Sequence, residues 1–348
     1  MNILGLMSGT SLDGLDLCLV KFEVSDDQYN FSILESETIP YPNLLAENLK
    51  KAVDLSSEDL LRLDVELGRY FGEKVLTFQQ KFDLEIDYIA SHGHTVFHQP
   101  ENGFTLQIGC GNQLFAQTNI PVIYDFRSQD VALGGQGAPL VPIGDLHLFQ
   151  QYVACINFGG IANLSFQSES KRLAFDICPV NMAFSYLTNQ LNLPYDDGGM
   201  IAKSGEVNRA LLMQLNELEF YQAAGPKSLG LEWFNANVLP LLQNENISIP
   251  DKLRTMVQHI AIQIANVLSE LGNGKVLVSG GGVYNVFLME QIKAEVRQEI
   301  VIPTKEIIEF KEALIFAFLG YLKVHGKVNV LQSVTGASKD SVSGILVS

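Results

Sequence analysis

Positive charge is scarce in this sequence. Its 348 residues carry 23 Lys and Arg against 39 Asp and Glu, a net charge of −16. A phosphate backbone needs a basic face, so nucleic acid is excluded as a partner. Any phosphate site has to be built locally, from backbone N–H groups. No run approaches the roughly 20 apolar residues that span a bilayer, so no membrane partner is expected. No basic leader precedes the first strand pattern. The four cysteines, Cys18, Cys110, Cys155 and Cys178, form no CxxC pair. They read as free thiols of a cytoplasmic protein. Neither GxxxxGK[ST] nor a GxGxxG after a strand occurs, which removes the P-loop and the dinucleotide fingerprint.

What is present suits two α/β domains. Hydrophobic residues make up 47% and mean hydropathy is +0.14. That is enough for sizeable cores, and the length exceeds what one core usually serves. Periodicity predicts strands at Ile3–Met7, Leu15–Val24 and Phe31–Ile39, a helix over Ser56–Asp83, and a strand at Tyr88–Ser91. A short helix at Gly111–Thr118 and a strand at Val122–Phe126 follow. Ser56 with Asp59 marks the start of the long helix.

The order then repeats. Strand Val153–Phe158 runs into a glycine turn, then strands Leu164–Gln167 and Leu173–Ile177 and a helix over Met182–Leu191. A long helix at Leu253–Leu271 precedes strand Val276–Ser279, which ends in three glycines. Strand Ile300–Pro303 and a helix at Lys311–His325 complete the chain. Two such halves imply the duplicated actin-like, ribonuclease H-like ATPase fold. We expect an N-terminal domain 1–125 and a C-terminal domain 126–348, with helix 311–325 near the hinge. Both glycine turns would face a cleft between the domains.

The opening turn "LMSGTSLDGLD" offers hydroxyls and N–H groups from Ser8, Gly9, Thr10 and Ser11 to a γ-phosphate. Asp13 or Asp16 could hold Mg²⁺ through water. An ordinary hairpin turn uses the same residue types. "SHGHTVFHQP" puts His92, His94 and His98 at HxHxxxH. On a strand the first two share a face. They are metal ligands, core histidines or sugar-binding groups, and the further ligands a metal site usually brings do not follow. "YDFRSQDVALGGQGAPLVP" sets Arg127 among Asp125 and Asp130, either to grip a substrate carboxylate or as a hinge with an ion pair.

"AFDICPVNMAF" ends a strand with Asp176 before a helix. A carboxylate there suits a general base. An alternative is a helix cap, but Asn181 could fill that role itself. Gly280, Gly281 and Gly282 permit close approach of a nucleotide, or simply make a tight turn. Glu312 is an acid on an otherwise apolar helix whose spacing is that of a core element.

These blocks, with "TLQIG", "NFGGIANLS", "PKSLGLEWFN" and "SVTGAS", resemble in order those of the anhydro-N-acetylmuramic acid kinases over essentially the whole chain. The resemblance implies an ATP- and Mg²⁺-dependent sugar kinase of cell-wall recycling, with a small amino sugar as substrate and a homodimer as assembly. Water attacks the anomeric carbon of 1,6-anhydro-N-acetylmuramic acid, the ring opens, and O6 takes the γ-phosphoryl group. The resemblance makes Asp176 the base. Gly9, Thr10, Ser11, Gly159 and Gly160 cradle phosphates, with Asp13 on the nucleotide side, and Gly280 to Gly282 line the nucleotide. His94, Arg127, Asp130 and Asn181 face the sugar, and Glu312 supports Asp176 or the metal.

The chain departs from the family pattern at several points. "DICPVN" stands for DTGPGN, His94 for the glutamine of HGQT, Leu231 for the arginine of KSTGRE, and "DFRSQD" for DFRRRD. The first departure replaces small residues where backbone would approach the sugar. Two other readings follow from the residues: a nucleotide-gated sensor or kinase of a related amino sugar, and a metal-dependent hydrolase built on the three histidines.

Overall fold

A computed structural model describes all residues except Thr10, Ser11, Asp27, Ala224 and Pro226. It divides into two units, Met1–Leu148 with Phe310–Ser348, and Phe149–Glu309. The expected division at 125/126 therefore moves. Residues 126–148 stay with the first unit, and the C-terminus returns to it.

The first unit is a seven-stranded sheet. Its strands are β1 (Asn2–Ser8), β2 (Gly14–Ser25), β3 (Gln28–Pro40), β4 (Tyr88–Gln99), β5 (Phe104–Ile108), β6 (Val122–Tyr124) and, from the far end of the chain, β12 (Ile345–Val347). The path is β3-β2-β1-β4-β6-β12, with β5 hairpinned onto β4. β1, β4 and β6 run parallel, and β2 and β3 are antiparallel. β12 pairs with β6, which is one reason the last residues belong here. The other is the helix Lys305–Val324. The Gly5 backbone lies so near the Ala313 carbonyl that a β-carbon at residue 5 would overlap it.

Helix Ser57–Phe82 covers the sheet and buries Leu67, Phe71, Val75 and Phe78 against Leu4, Leu6, Leu17 and Leu19. It begins as its sequence signals: Ser56 Oγ accepts from Asp59 N–H at 3.2 Å. β4 runs well past the predicted Ser91, because the pairing continues through Gly93 in the left-handed region (φ +75°) and on to β5.

The second unit repeats the order with β7 (Ala154–Phe158), β8 (Ile161–Ser168), β9 (Lys171–Pro179), β10 (Lys275–Ser279) and β11 (Glu299–Val301). The path is β9-β8-β7-β10-β11. Again the first, fourth and fifth strands are parallel and the second and third antiparallel. The same five-strand topology thus occurs twice, which is the duplicated fold expected. Helix Ile249–Ser269, capped by Ser248, packs Leu253, Met256, Val257, Ile260 and Ile264 into this core.

Candidate active site

The second unit gathers the glycine turns at the carboxyl ends of its parallel strands. β7 ends at Phe158, followed by Gly159 and Gly160, and β10 ends at Ser279, followed by Gly280 to Gly282. Gly280 adopts φ +83°, and a β-carbon there would strike Asn157 Oδ1 and the Phe158 backbone. Only glycine lets the two turns close up this way. The Gly159 carbonyl accepts from Asn181 N–H at 3.2 Å, and that of Gly160 from Val180 N–H at 2.8 Å. Asn181 Nδ2 reaches the Phe158 carbonyl at 3.4 Å. Asn181 is the first residue of helix Asn181–Asn189 and makes no side-chain cap, so the expected capping role falls away. It sits instead between the two glycine turns.

Asp176 lies on β9 beside an irregularity. Ala162 pairs with Cys178 and Asn163 with Asp176, so Ile177 is an extra residue in its strand. Such a bulge re-aims neighbouring side chains. Leu229 N–H donates to Asp176 Oδ2 at 2.8 Å, and Asp176 N–H donates to the Lys227 carbonyl. The "KSLG" segment therefore straps the base from its backbone. Burial raises the Asp176 pKa, opposed by hydrogen bonds from Leu229 and Ser228. It caps no helix. A half-buried carboxylate with a raised pKa is suited to accept a proton.

The departures around it have a plain structural role. Ile177, Cys178 and Val180 are buried core residues of this unit. Val180 precedes helix Asn181–Asn189 with φ −124° and ψ −91°. Leu231 is exposed at the start of its helix.

In the first unit, Ser8 ends β1 and connects two groups. Tyr41 Oη donates to Ser8 Oγ at 2.6 Å, and Ser8 Oγ bonds His94 Nδ1 at 3.0 Å. Burial lowers the His94 pKa, which favours the neutral ring. His92 gives Nδ1–H to the Gly93 carbonyl and accepts from Arg127 on Nε2. His98 bonds Thr105. Each histidine has its own protein partner, and no cluster of three potential metal ligands exists among the described residues. The hydrolase reading therefore has no ligand set there.

Arg127 also donates to the Gly137 carbonyl. Burial lowers its pKa to about 10, with Glu312 and Asp130 opposing that fall. Asp130 is not a surface group facing a sugar: it has no exposure and its carboxylate is occupied. Oδ2 accepts from Gly137 N–H at 2.8 Å and Oδ1 from Thr335 Oγ1 at 2.8 Å. It clamps the glycine-rich loop to the C-terminal segment. Glu312 touches solvent, yet crowding by protein raises its pKa, opposed by Arg127 and Lys311. It belongs to the first unit and Asp176 to the second. Of the opening turn, Gly9 and Asp13 are described, with Asp13 exposed. Thr10 and Ser11 lie outside the described residues.

Sequence reasoning passed over Asn163, Ser279 and the Tyr41–Ser8–His94 chain. Register sets Asn163 beside Asp176 in the second unit and Ser8 beside His94 in the first, and a single sequence carries no direct signal of register.

A twice-repeated α/β topology, with glycine turns and a strapped acid at its strand ends, defines a protein of the actin-like ATPase and sugar-kinase class. The profile of the anhydro-N-acetylmuramic acid kinase family matches residues 1–348, and the chain belongs to that family. The chain is 36% identical over 366 residues to the anhydro-N-acetylmuramic acid kinase of Vibrio cholerae serotype O1, covering 99% of this chain and 97% of that one. It is 37% identical over 364 residues to that of Coxiella burnetii strain RSA 493, covering 99% and 96%. It is 35% identical over 370 residues to that of Mannheimia succiniciproducens, covering 99% and 98%.

Proposed function

We propose that this sugar kinase uses ATP to open 1,6-anhydro-N-acetylmuramic acid by hydrolysis and to phosphorylate the freed O6. The observation that carries the base assignment is Asp176: a carboxylate of raised pKa, strapped by Leu229 and Ser228, in the unit that holds both glycine turns. Asp176 takes a proton from water as the water oxygen bonds to the anomeric carbon. The bond from that carbon to O6 breaks, and O6 keeps the electron pair. O6 then accepts the γ-phosphoryl group, giving N-acetylmuramic acid 6-phosphate and ADP. Positioning supplies most of the rate in such a transfer.

Gly159, Gly160 and Gly281 leave backbone open to phosphate and ribose, while Gly280 and Gly282 let their turn close onto Asn157 and Phe158. The opening turn, with Gly9, is the phosphate loop of the other unit. Mg²⁺ would come with the nucleotide, since Mg²⁺ keeps several waters and needs few protein carboxylates. Asp13, an exposed acid of the opening turn, is the residue assigned to meet it through water. His94 is the ring assigned to the sugar side. Arg127 keeps donors beyond those given to His92 and Gly137 for a substrate carboxylate. Glu312 supports the metal side.

Among the described residues no helix is long and apolar enough to cross a membrane. The cytoplasm, where ATP is supplied, is the compartment this reading requires. A homodimer, to be checked by light scattering, is part of the same proposal. Retention of a strapped base disfavours a non-catalytic sensor.

The test is phosphotransfer from ATP and Mg²⁺ to 1,6-anhydro-N-acetylmuramic acid, with N-acetylglucosamine and N-acetylmuramic acid as comparisons. We expect product with the wild type and its loss in Asp176→Asn. Nucleotide binding without turnover on any sugar would overturn the reading.

A further inference from the structure

The strand that carries Asp176 is part of a polar row the scheme above leaves unused. Ser279, Asn157, Asn163 and Asp176 are successive Cα partners across β10, β7, β8 and β9. Partnered residues on adjacent strands project from the same face, so the four stand side by side. Their neighbours Leu164, Phe175 and Ile177 line an apolar cavity on the opposite face. The row therefore interrupts a sheet that is otherwise apolar at this end.

Two of its members, Ser279 and Asn163, lack side-chain partners among the described residues. Ser279 Oγ is buried with no hydrogen bond among the described residues. Asn163 is exposed, and among the described residues nothing in the chain bonds its carboxamide. A buried hydroxyl left unpaired is costly, so Ser279 is expected to meet a ligand or ordered water. Direct antiparallel partners hold their β-carbons about 5 Å apart. At that spacing one water molecule could bond both the Asn163 carboxamide and the Asp176 carboxylate. The Ile177 bulge fixes this pairing, and the Leu229 amide holds Asp176 from its other side.

We propose that Asn163 is a positioning residue for ring opening: it holds the attacking water while Asp176 takes that water's proton. The inference rests on the kinase reading. Asn163 gains and loses no proton. It restricts the water to the orientation from which its lone pair faces the anomeric carbon.

The experiment measures kcat, KM for both substrates and the pH profile of kcat/KM for wild type, Asn163→Ala, Asn163→Gln and Asn163→Asp, with thermal midpoints for all four. Asn163→Ala is expected to lower kcat by about 10- to 100-fold with KM for ATP within about twofold, and Asn163→Gln to recover part of the loss. Asn163→Asp sets a second carboxylate beside Asp176. It is expected to move the acidic limb upward by about one pH unit, since like charge raises a carboxylate pKa. A merely structural residue would lower the thermal midpoint and leave that limb in place. Wild-type kcat in Asn163→Ala, or an unmoved limb in Asn163→Asp, overturns the assignment. Absence of turnover in the wild type overturns the kinase reading itself and this inference with it.

Discussion

Arg127 donates twice to one nitrogen of His92, from Nε at 3.0 Å and from a terminal nitrogen at 2.8 Å. The other ring nitrogen is committed to the Gly93 carbonyl at 2.8 Å, and the ring of Phe316 lies 4.6 Å away. Burial and the Arg127 cation hold the His92 pKa well below its ordinary value. His92 is thus a fixed neutral acceptor. A lysine ammonium cannot serve both His92 and the Gly137 carbonyl with this planar geometry. Arg127→Lys is expected to lower unfolding stability by about 1–3 kcal/mol, read in urea. In a double-mutant cycle with His92→Ala the two losses should not add. Full additivity would show that the pair is not coupled.

A buried ion pair joins Asp145 to Lys311 at 2.7 Å, with side-chain exposures of 4% and 6%. Removing one partner leaves an uncompensated buried charge. Asp145→Ala should cost about 3–5 kcal/mol, whereas Asp145→Leu combined with Lys311→Met should restore most of that. Equilibrium denaturation of the three proteins decides it. Equal stability of wild type and Asp145→Ala would contradict the burial argument.

His259 sets a pH dependence of stability in the second unit. It has no exposure, and it bonds Asn216 Oδ1 at 2.7 Å and Tyr221 Oη at 3.1 Å. Burial lowers its pKa from 6.5 to about 3. Between these values the unfolded chain binds a proton that the folded chain refuses. Stability is therefore complete above about pH 6.5 and falls as pH drops toward 3, at up to about 1.4 kcal/mol per pH unit. His259→Gln should flatten that part of the curve. An unchanged acid slope would place the effect elsewhere.

Gly5 is fixed by space rather than by conformation. A β-carbon there would overlap the Ala313 carbonyl, so β1 and the helix Lys305–Val324 have to part to accept one. Gly5→Val should lower stability by about 1–3 kcal/mol, seen as a lower urea midpoint. A variant as stable as wild type would mean the helix shifts without cost.

Much of the fold was legible in the sequence because periodicity and turn chemistry are local. Ser56 and Asp59 announced the cap they make. The apolar spacing of helix Ser57–Phe82 and the runs ending in glycine announced both halves. Asp176 was legible as an acid on a strand, although the strand runs on past it to Pro179. Its raised pKa was not, because that comes from burial in the folded unit, only partly opposed by hydrogen bonds from Ser228 and Leu229. Asp130 reads as a surface partner of Arg127 in the sequence and becomes an internal clamp once Thr335, 205 residues on, bonds it.

The sequence by itself determined the two α/β halves, the glycine turns, the acid on β9 and the family, because each is a short ordered pattern. The tertiary structure decided where the units divide, since β12 returns to β6. It decided that His92 is an acceptor for Arg127 and no metal ligand. It also decided that Asn163 faces Asp176, through the register and a one-residue bulge. These are long-range matters of hydrogen-bond pairing and exclusion of water, and no local pattern encodes them.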